Sequence, residues 1–450
     1  MAYIRRWLED RLRGALAASP AVLLQGSRFI GKTTLARRLS ASALDMSNEQ
    51  HVARLELDPL GMLRRTPKPV LVDEWQLRPQ TLWDIKSLVD AEGASGFIIA
   101  GSAGYSQLEG FSQFPLTGRC DMLRLRPMAQ AERRELAVMP LADLLFGGSD
   151  QWGSPERLEH SDYVSIAVQS GYPGHARLAA DEAHDALRRI AANIIEADIV
   201  RHQTRRDSAA TRSGLSRFIA AYASASGRIV DLLSIAKAAG LNDKTAAKYR
   251  DMYDNSYLLD ELPIWRPTAD SQGFRHPKRV LSDPAMMAPL IGTSPSELTA
   301  APQLLGGLIE TFVHAQLSAQ QAVTAEPYAI ECYDLRRSGK ARSAAAAYPL
   351  GEIDFVLRST RRPAVAVVEV KARNRVKRHD ADRIIALRDA IDSDPRASHE
   401  FTAGAVLCCG DIDPTPISDR VWAAPLSALW TTPPSPTPPT RPSGSEPRVP

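Results

Sequence analysis

Short, wholly apolar runs alternate along this chain with longer stretches whose apolar residues recur every three or four positions. Ile4, Trp7, Leu8, Leu12 and Leu16 follow helical spacing and predict a helix over residues 3–18. Ala21–Gln25 then forms a short apolar run that predicts a buried strand; Gly26 breaks it, and Thr33–Leu39 opens another helix. Further apolar runs stand at Val70–Val72, Phe97–Ala100 and Met122–Leu125, with a helix-like stretch at Thr81–Ala91. Strands alternating with helices predict an α/β fold, a parallel sheet covered on both faces, over residues 1–135.

The pattern then changes. Residues 136–210 have helical periodicity, interrupted at Gly171-Tyr172-Pro173-Gly174, and predict a helical connector. Residues 211–265 resemble a winged helix-turn-helix. Ile235–Leu241 reaches a turn at Gly240, Asn242 or Asp243 caps a helix through Met252, and Tyr257–Leu262 supplies a wing strand. Residues 300–430 predict a second α/β unit: helix Leu304–Leu317, strands Ala329–Leu335, Ile353–Leu357 and Ala364–Val370, helix Asp380–Ala390, strand Ala403–Leu407. Residues 431–450 hold eight prolines among Ser, Thr and Gly, a composition expected to be disordered.

At 450 residues the chain has room for two to four domains. A net charge of +3 excludes a highly basic nucleic-acid coat but leaves room for a local basic groove. The cysteines, Cys120, Cys332, Cys408 and Cys409, form no C-x-x-C pair, so buried reduced thiols are expected rather than a zinc site or a disulfide framework. The N-terminus mixes both charge signs and no 18-residue apolar run occurs, so no signal peptide and no membrane span are expected; a cytoplasmic protein fits.

Two constellations carry chemistry. The first is Gly26-Ser27-Arg28-Phe29-Ile30-Gly31-Lys32-Thr33, followed by Thr34, which matches G-x-x-x-x-G-K-[ST] between a strand and a helix. Phosphate oxygens need many donors at close range. The glycines let backbone N–H groups turn inward, and the helix N-terminus aims at the same point. Lys32 is expected to reach the β- and γ-phosphates, and Thr33 to ligate Mg²⁺. About 40 residues on, Val70-Leu71-Val72-Asp73-Glu74 ends a buried strand in two carboxylates. Asp73 is expected in the Mg²⁺ shell and Glu74 beside the attacking water. Ser102, after Phe97–Ala100, is a candidate γ-phosphate sensor or a turn serine. Arg119 is a candidate arginine finger or a surface ion-pair residue.

The second lies near the C-terminus. Asp354 in Gly351-Glu352-Ile353-Asp354 precedes Glu369-Val370-Lys371 by fifteen residues, the D…E-x-K arrangement of restriction-endonuclease-like nucleases. Strand alternation puts Glu369 and Lys371 on one face, and a neighbouring strand brings Asp354 to them. Asp354 and Glu369 would hold a metal and Lys371 would position water, with Glu310 a further metal-shell acid. The blander alternative is a binding module with solvated carboxylates. A basic run follows (Lys371, Arg373, Arg375, Lys377, Arg378), and Lys237, Lys244, Lys248 and Arg250 mark the helical module; both suit a phosphate backbone or a solvated surface.

Gln25–Thr34, Val72–Gln76, Ile98–Ser102, Thr117-Gly118-Arg119 and Leu125–Met128 together resemble prokaryotic AAA-type ATPases with a C-terminal domain of unknown function. Gly171-Tyr172-Pro173, Glu196-Ala197-Asp198 and Gly307–Glu310 are similar to that family's second half. The resemblance implies an AAA-type core, a winged-helix-like middle and a restriction-endonuclease-like C-terminal fold. Ser27 stands where the family often has proline, a departure expected to matter little. The expected function is ATP binding and hydrolysis whose nucleotide state controls a nuclease-like, DNA-binding domain. The alternative is an ATP-driven switch acting on a protein partner.

Overall fold

The computed structural model describes residues 3–102, 114–148, 150–176, 178, 180–195, 209–268, 276–335 and 348–433. In the N-terminal unit β1 (Ala21–Gln25), β2 (Ser42–Asp45), β3 (Val70–Asp73), β4 (Phe97–Ala100) and β5 (Cys120–Arg124) form a parallel sheet in the order β2-β3-β4-β1-β5. All four residues of β3 and of β4 are buried, as strands covered on both faces require. The helices Leu8–Ala18, Lys32–Leu39 and Gln80–Glu92 belong to this unit. The first starts later than its periodicity predicts; just ahead of it Arg6 is buried and pairs with Glu132 at 3.1 Å. β2 escapes a sequence reading because Ser42-Ala43-Leu44-Asp45 has no continuous apolar run.

The middle unit contains helices Ala209–Ser224, Leu232–Ala238 and Asp243–Asn255, with β6 (Arg228–Ile229), β7 (Leu259–Leu262) and β8 (Lys278–Leu281) in an antiparallel sheet ordered β6-β8-β7. Asn242 caps the last of these helices by accepting from Thr245 N. β8 is the central strand of this sheet, so the unit runs past its expected end at residue 265.

In the C-terminal unit β9 (Tyr328–Leu335), β10 (Gly351–Ser359), β11 (Ala364–Lys371), β12 (Glu400–Cys408), β13 (Thr415–Ser418) and β14 (Val421–Pro425) form one sheet ordered β13-β14-β12-β11-β10-β9. β9, β10 and β11 are antiparallel neighbours; β11, β12 and β14 run parallel. Alternation sends Phe355, Leu357, Ala366 and Val368 into one core with Leu308, Phe312 and Val313 of helix Pro302–Gln320. Val356, Val365 and Val367 pack in another with Ile384 and Leu387 of helix Asp382–Ser393. Thr431 is buried and Thr432 bridges Ser154, so the fold extends past the expected tail boundary; residues 434–450 lie outside the described residues. The cysteines carry no disulfide, and among the described residues no helix is long and apolar enough to cross a membrane.

Candidate functional site

The chain leaves β1 directly into the phosphate loop. Gly26 has φ +147° and Gly31 φ +98°, conformations that favour glycine. A Cβ on Gly26 would lie 2.6 Å from the Leu125 carbonyl oxygen, so the loop approaches the backbone just past β5 only without a side chain there. Ile30 anchors the loop in the core. Lys32 Nζ donates to the carbonyls of Gly26 and Ser27, both at 2.8 Å, which holds the ammonium over the loop. Thr33 Oγ1 donates to Asp73 Oδ1 at 3.1 Å. Burial raises the Asp73 carboxyl above its ordinary range, opposed by the Thr33 bond. Glu74 follows with φ +51°, and Gln76 Nε2 donates to its carboxylate. A hydroxyl and a carboxylate side by side, with an ammonium on the loop, fit the donor set of a Mg²⁺-nucleotide.

These groups open on a cavity of about 610 Å³. Arg28, Phe29, Lys32, Thr33, Thr34, Asp73 and Glu74 line it together with Gly101 and Ser102. Ser102 follows β4, the strand between β1 and β3, and is buried. The remaining lining includes Tyr172, His175 and, from helix Ala180–Asn193, Arg189 and Asn193. Arg189 was not singled out from the sequence, because nothing local marks its helix as facing the loop. The Gly171–Gly174 turn sits on the loop itself. Tyr172 Oη donates to Ser27 Oγ at 3.0 Å, and Gly171 N donates to Asp283 Oδ2 at 2.9 Å. Ser27, which stands where the family often has proline, thus ties the loop to the Gly171–Gly174 turn through its hydroxyl.

Arg119 lies elsewhere. Its carbonyl accepts from Ala21 N at 3.2 Å, at the start of β1, whereas the phosphate loop leaves the far end of that strand. Five residues of strand separate the two by roughly 16 Å. Its guanidinium pairs with Asp90. A nucleotide-sensing Arg119 within this chain is thus corrected: parallel sheets bind ligands at the C-terminal ends of their strands, and Arg119 precedes one. Glu196 and Asp198 lie outside the described residues.

The second constellation converges on the β10–β11 hairpin. Phe355 pairs with Val368, and the continued register puts Asp354 across from Glu369. Asp354 Oδ2 accepts from Val370 N at 2.8 Å, and Lys371 pairs with Glu369. Glu310 reaches the same place from helix Pro302–Gln320, and ligand oxygens of Glu310, Glu352 and Asp354 lie within 4.8 Å of one another. A residue not expected from the sequence stands among them. Lys278 Nζ, from β8 of the middle unit, is 2.6 Å from Glu310, 2.8 Å from Glu352 and 3.0 Å from Asp354. Burial disfavours its charge, yet Asp354, Glu310 and Glu352 raise its pKa well above the ordinary value. Burial and then Asp354 lift Glu310 to about 8 and Glu369 to about 7. In the basic run beyond, Arg373 pairs with Asp380.

Three family models match in succession. Residues 18–133 match the AAA domain. The N-terminal unit is an AAA-type, P-loop ATPase-like domain. Residues 160–297 match a domain of unknown function (DUF8612), and 305–429 match another (DUF4143). The first of these takes in residues 160–210 of the expected connector together with the helical module. The chain is 27% identical over 320 residues to the uncharacterized proteins Rv2008c of Mycobacterium tuberculosis and Mb2031c of Mycobacterium bovis. Each match takes in 70% of this chain and 66% of the relative, a little under two thirds of its length. Among solved structures, the Walker-type ATPase PABY2304 of Pyrococcus abyssi is 13% identical with a TM-score of 0.39, over 63% of this chain and 94% of that one. AMPPCP-bound DnaA of Aquifex aeolicus is 14% identical with a TM-score of 0.25, over 55% of this chain and 85% of that one.

Proposed function

We propose that this protein binds and hydrolyses ATP at the phosphate loop, and that its nucleotide state controls the C-terminal unit as a nuclease-like, DNA-binding domain. One observation carries the reading: Lys32, the Thr33–Asp73 pair and Glu74 line a cavity that also takes in Arg189 and Asn193 of the helix Ala180–Asn193. Lys32 exchanges its loop carbonyls for phosphate oxygens when nucleotide arrives. Thr33 and Asp73 would hold Mg²⁺, which when bound neutralises charge on the phosphoryl oxygens. Glu74, oriented by Gln76, directs the attacking water. A displaced loop pulls on Ser27 and Tyr172, and so on the middle unit.

The middle unit's order of helix, strand, two helices and two strands supports a winged-helix-like reading. Lys237, Lys244 and Lys248 are exposed on it, which favours a nucleic-acid backbone as partner. The D…E-x-K cluster supports the nuclease-like reading. A second reading is an ATP-driven switch whose C-terminal unit only binds a protein partner; the ammonium seated among the carboxylates favours it.

Phosphate release and DNA cleavage measured side by side with Mg²⁺, for the wild type, Lys32→Ala and Asp354→Ala, test both. Wild-type phosphate release, lost in Lys32→Ala, is expected. Cleavage lost in Asp354→Ala supports the nuclease-like reading; hydrolysis without any cleavage favours the switch. Wild-type protein that releases no phosphate overturns the assignment.

A further inference from the structure

We propose that the carboxylate cluster of the C-terminal unit is a divalent-cation site held closed by Lys278, a tethered cation supplied by the middle unit. The side chain of Lys278 is wholly buried, and its ammonium sits 2.6–3.0 Å from Glu310, Glu352 and Asp354. Glu310 and Glu352 are part-buried and Asp354 is buried, and carboxylates this close together need a counter-charge. A three-donor ammonium provides it, and a hard divalent ion bound by carboxylate oxygens would provide it equally. The oxygens already lie within 4.8 Å of one another, a spacing that one ion could bridge.

A second observation points to a ligand. Glu369, across the hairpin from Asp354, is only 5% exposed, and among the described residues its Oε2 has no hydrogen-bond partner. Lys371 takes the other oxygen. A buried carboxylate oxygen with an unused lone pair beside the cluster supports a ligand there. The occupant also has a route to the nucleotide. β8 ends at Leu281, and Asp283, two residues on, receives Gly171 N at 2.9 Å. The adjacent Tyr172 donates to Ser27 in the phosphate loop at 3.0 Å. Loop movement would therefore act on the strand that carries Lys278.

The proposal rests on the nuclease-like reading only for what an ion would do there; ion binding is read directly, without ATP or DNA. Mn²⁺ is titrated into nucleotide-free protein and followed by its electron paramagnetic resonance signal, in the wild type, Lys278→Met and Lys278→Met/Asp354→Asn. Lys278→Met should bind one more Mn²⁺ per chain than the wild type, at least about tenfold more tightly, as expected when a competing fixed charge is removed. The added Asp354→Asn change should abolish that ion, which separates it from any held by Thr33 and Asp73. Should Lys278→Met fail to fold alone, Lys278→Met/Glu352→Gln lowers the uncompensated charge and keeps Glu310, Asp354 and Glu369. Its melting temperature should rise with Mn²⁺, and that of the same protein carrying Asp354→Asn should not. Equal Mn²⁺ binding by the wild type and Lys278→Met, or no ion in any variant, overturns the proposal.

Discussion

The hydrogen bond from Tyr172 to Ser27 ties the phosphate loop to the Gly171–Gly174 turn, and a double-mutant cycle measures it. Tyr172 is fully buried and Ser27 is 3% exposed. Tyr172→Phe keeps the ring and its packing and deletes the donor 3.0 Å from Ser27 Oγ. A lost net hydrogen bond costs about 1 kcal/mol, and leaving the Ser27 hydroxyl buried without that donor adds up to roughly 1 kcal/mol more. Ser27→Ala removes the acceptor and costs about 1 kcal/mol for the same lost bond. The double variant loses the same single bond only once, so it should be more stable than the sum of the singles by about 1 kcal/mol. Urea unfolding monitored by tryptophan fluorescence and far-UV circular dichroism gives the three free-energy changes. Additivity within about 0.3 kcal/mol would mean that the contact does not join the two units, and the proposed route from the loop to β8 would lose its first link.

Lys32→Ala should weaken Mg-ATP binding about 30- to 150-fold, the loss of charged contacts of roughly 2–3 kcal/mol, read by calorimetric titration; a change below threefold would place the nucleotide elsewhere. Arg119→Ala should leave ATP turnover within about twofold of the wild type, since Arg119 pairs with Asp90 at the other end of the sheet; a collapse of turnover would restore it as a sensor. Burial raises Asp283 from 3.8 to about 6, so the folded state binds its proton more tightly than the unfolded state. Its contribution is present below pH 4 and is lost as pH rises through 6, a difference of about 3 kcal/mol between wild type and Asp283→Asn; a gap that does not vary with pH would contradict the burial of that charge.

The parts that could be read from sequence are those in which local pattern and tertiary role coincide. Gly26–Thr33 announces itself because strand, glycine turn and helix are consecutive, and the loop's chemistry is made by its own backbone. The Asp354–Glu369 pairing was legible because a hairpin is local and side chains alternate with a period of two. Glu352 belongs to the same alternation, two residues before Asp354, and could have been found by it. Lys278 could not. It stands 76 residues from Asp354, next to Arg279, where a lysine looks like surface charge. Only the pairing of β8 between β6 and β7 carries it inward. The motif around Arg119 left a sensor and a surface ion pair both open, because the sheet register that puts it beside the start of β1, paired with Asp90, is not written in any short string. β13 was missed for want of an apolar run, since Thr415–Ser418 is an edge strand with no buried residue; β14 was legible in the apolar run Val421–Ala424 but was not singled out.

The central claim is that the phosphate loop and its carboxylate pair hydrolyse ATP, and Glu74→Gln tests it most directly. The substitution keeps the size of the side chain and removes the group assigned to the attacking water, while Lys32, Thr33 and Asp73 remain to bind nucleotide. ATP affinity and phosphate release are measured on the same preparations of wild type and variant. The account predicts affinity within about threefold of the wild type, with phosphate release at least about 100-fold slower, the usual contribution of a positioned general base. Equal phosphate release by the two proteins, or a wild type that binds Mg-ATP and never turns it over, would contradict it.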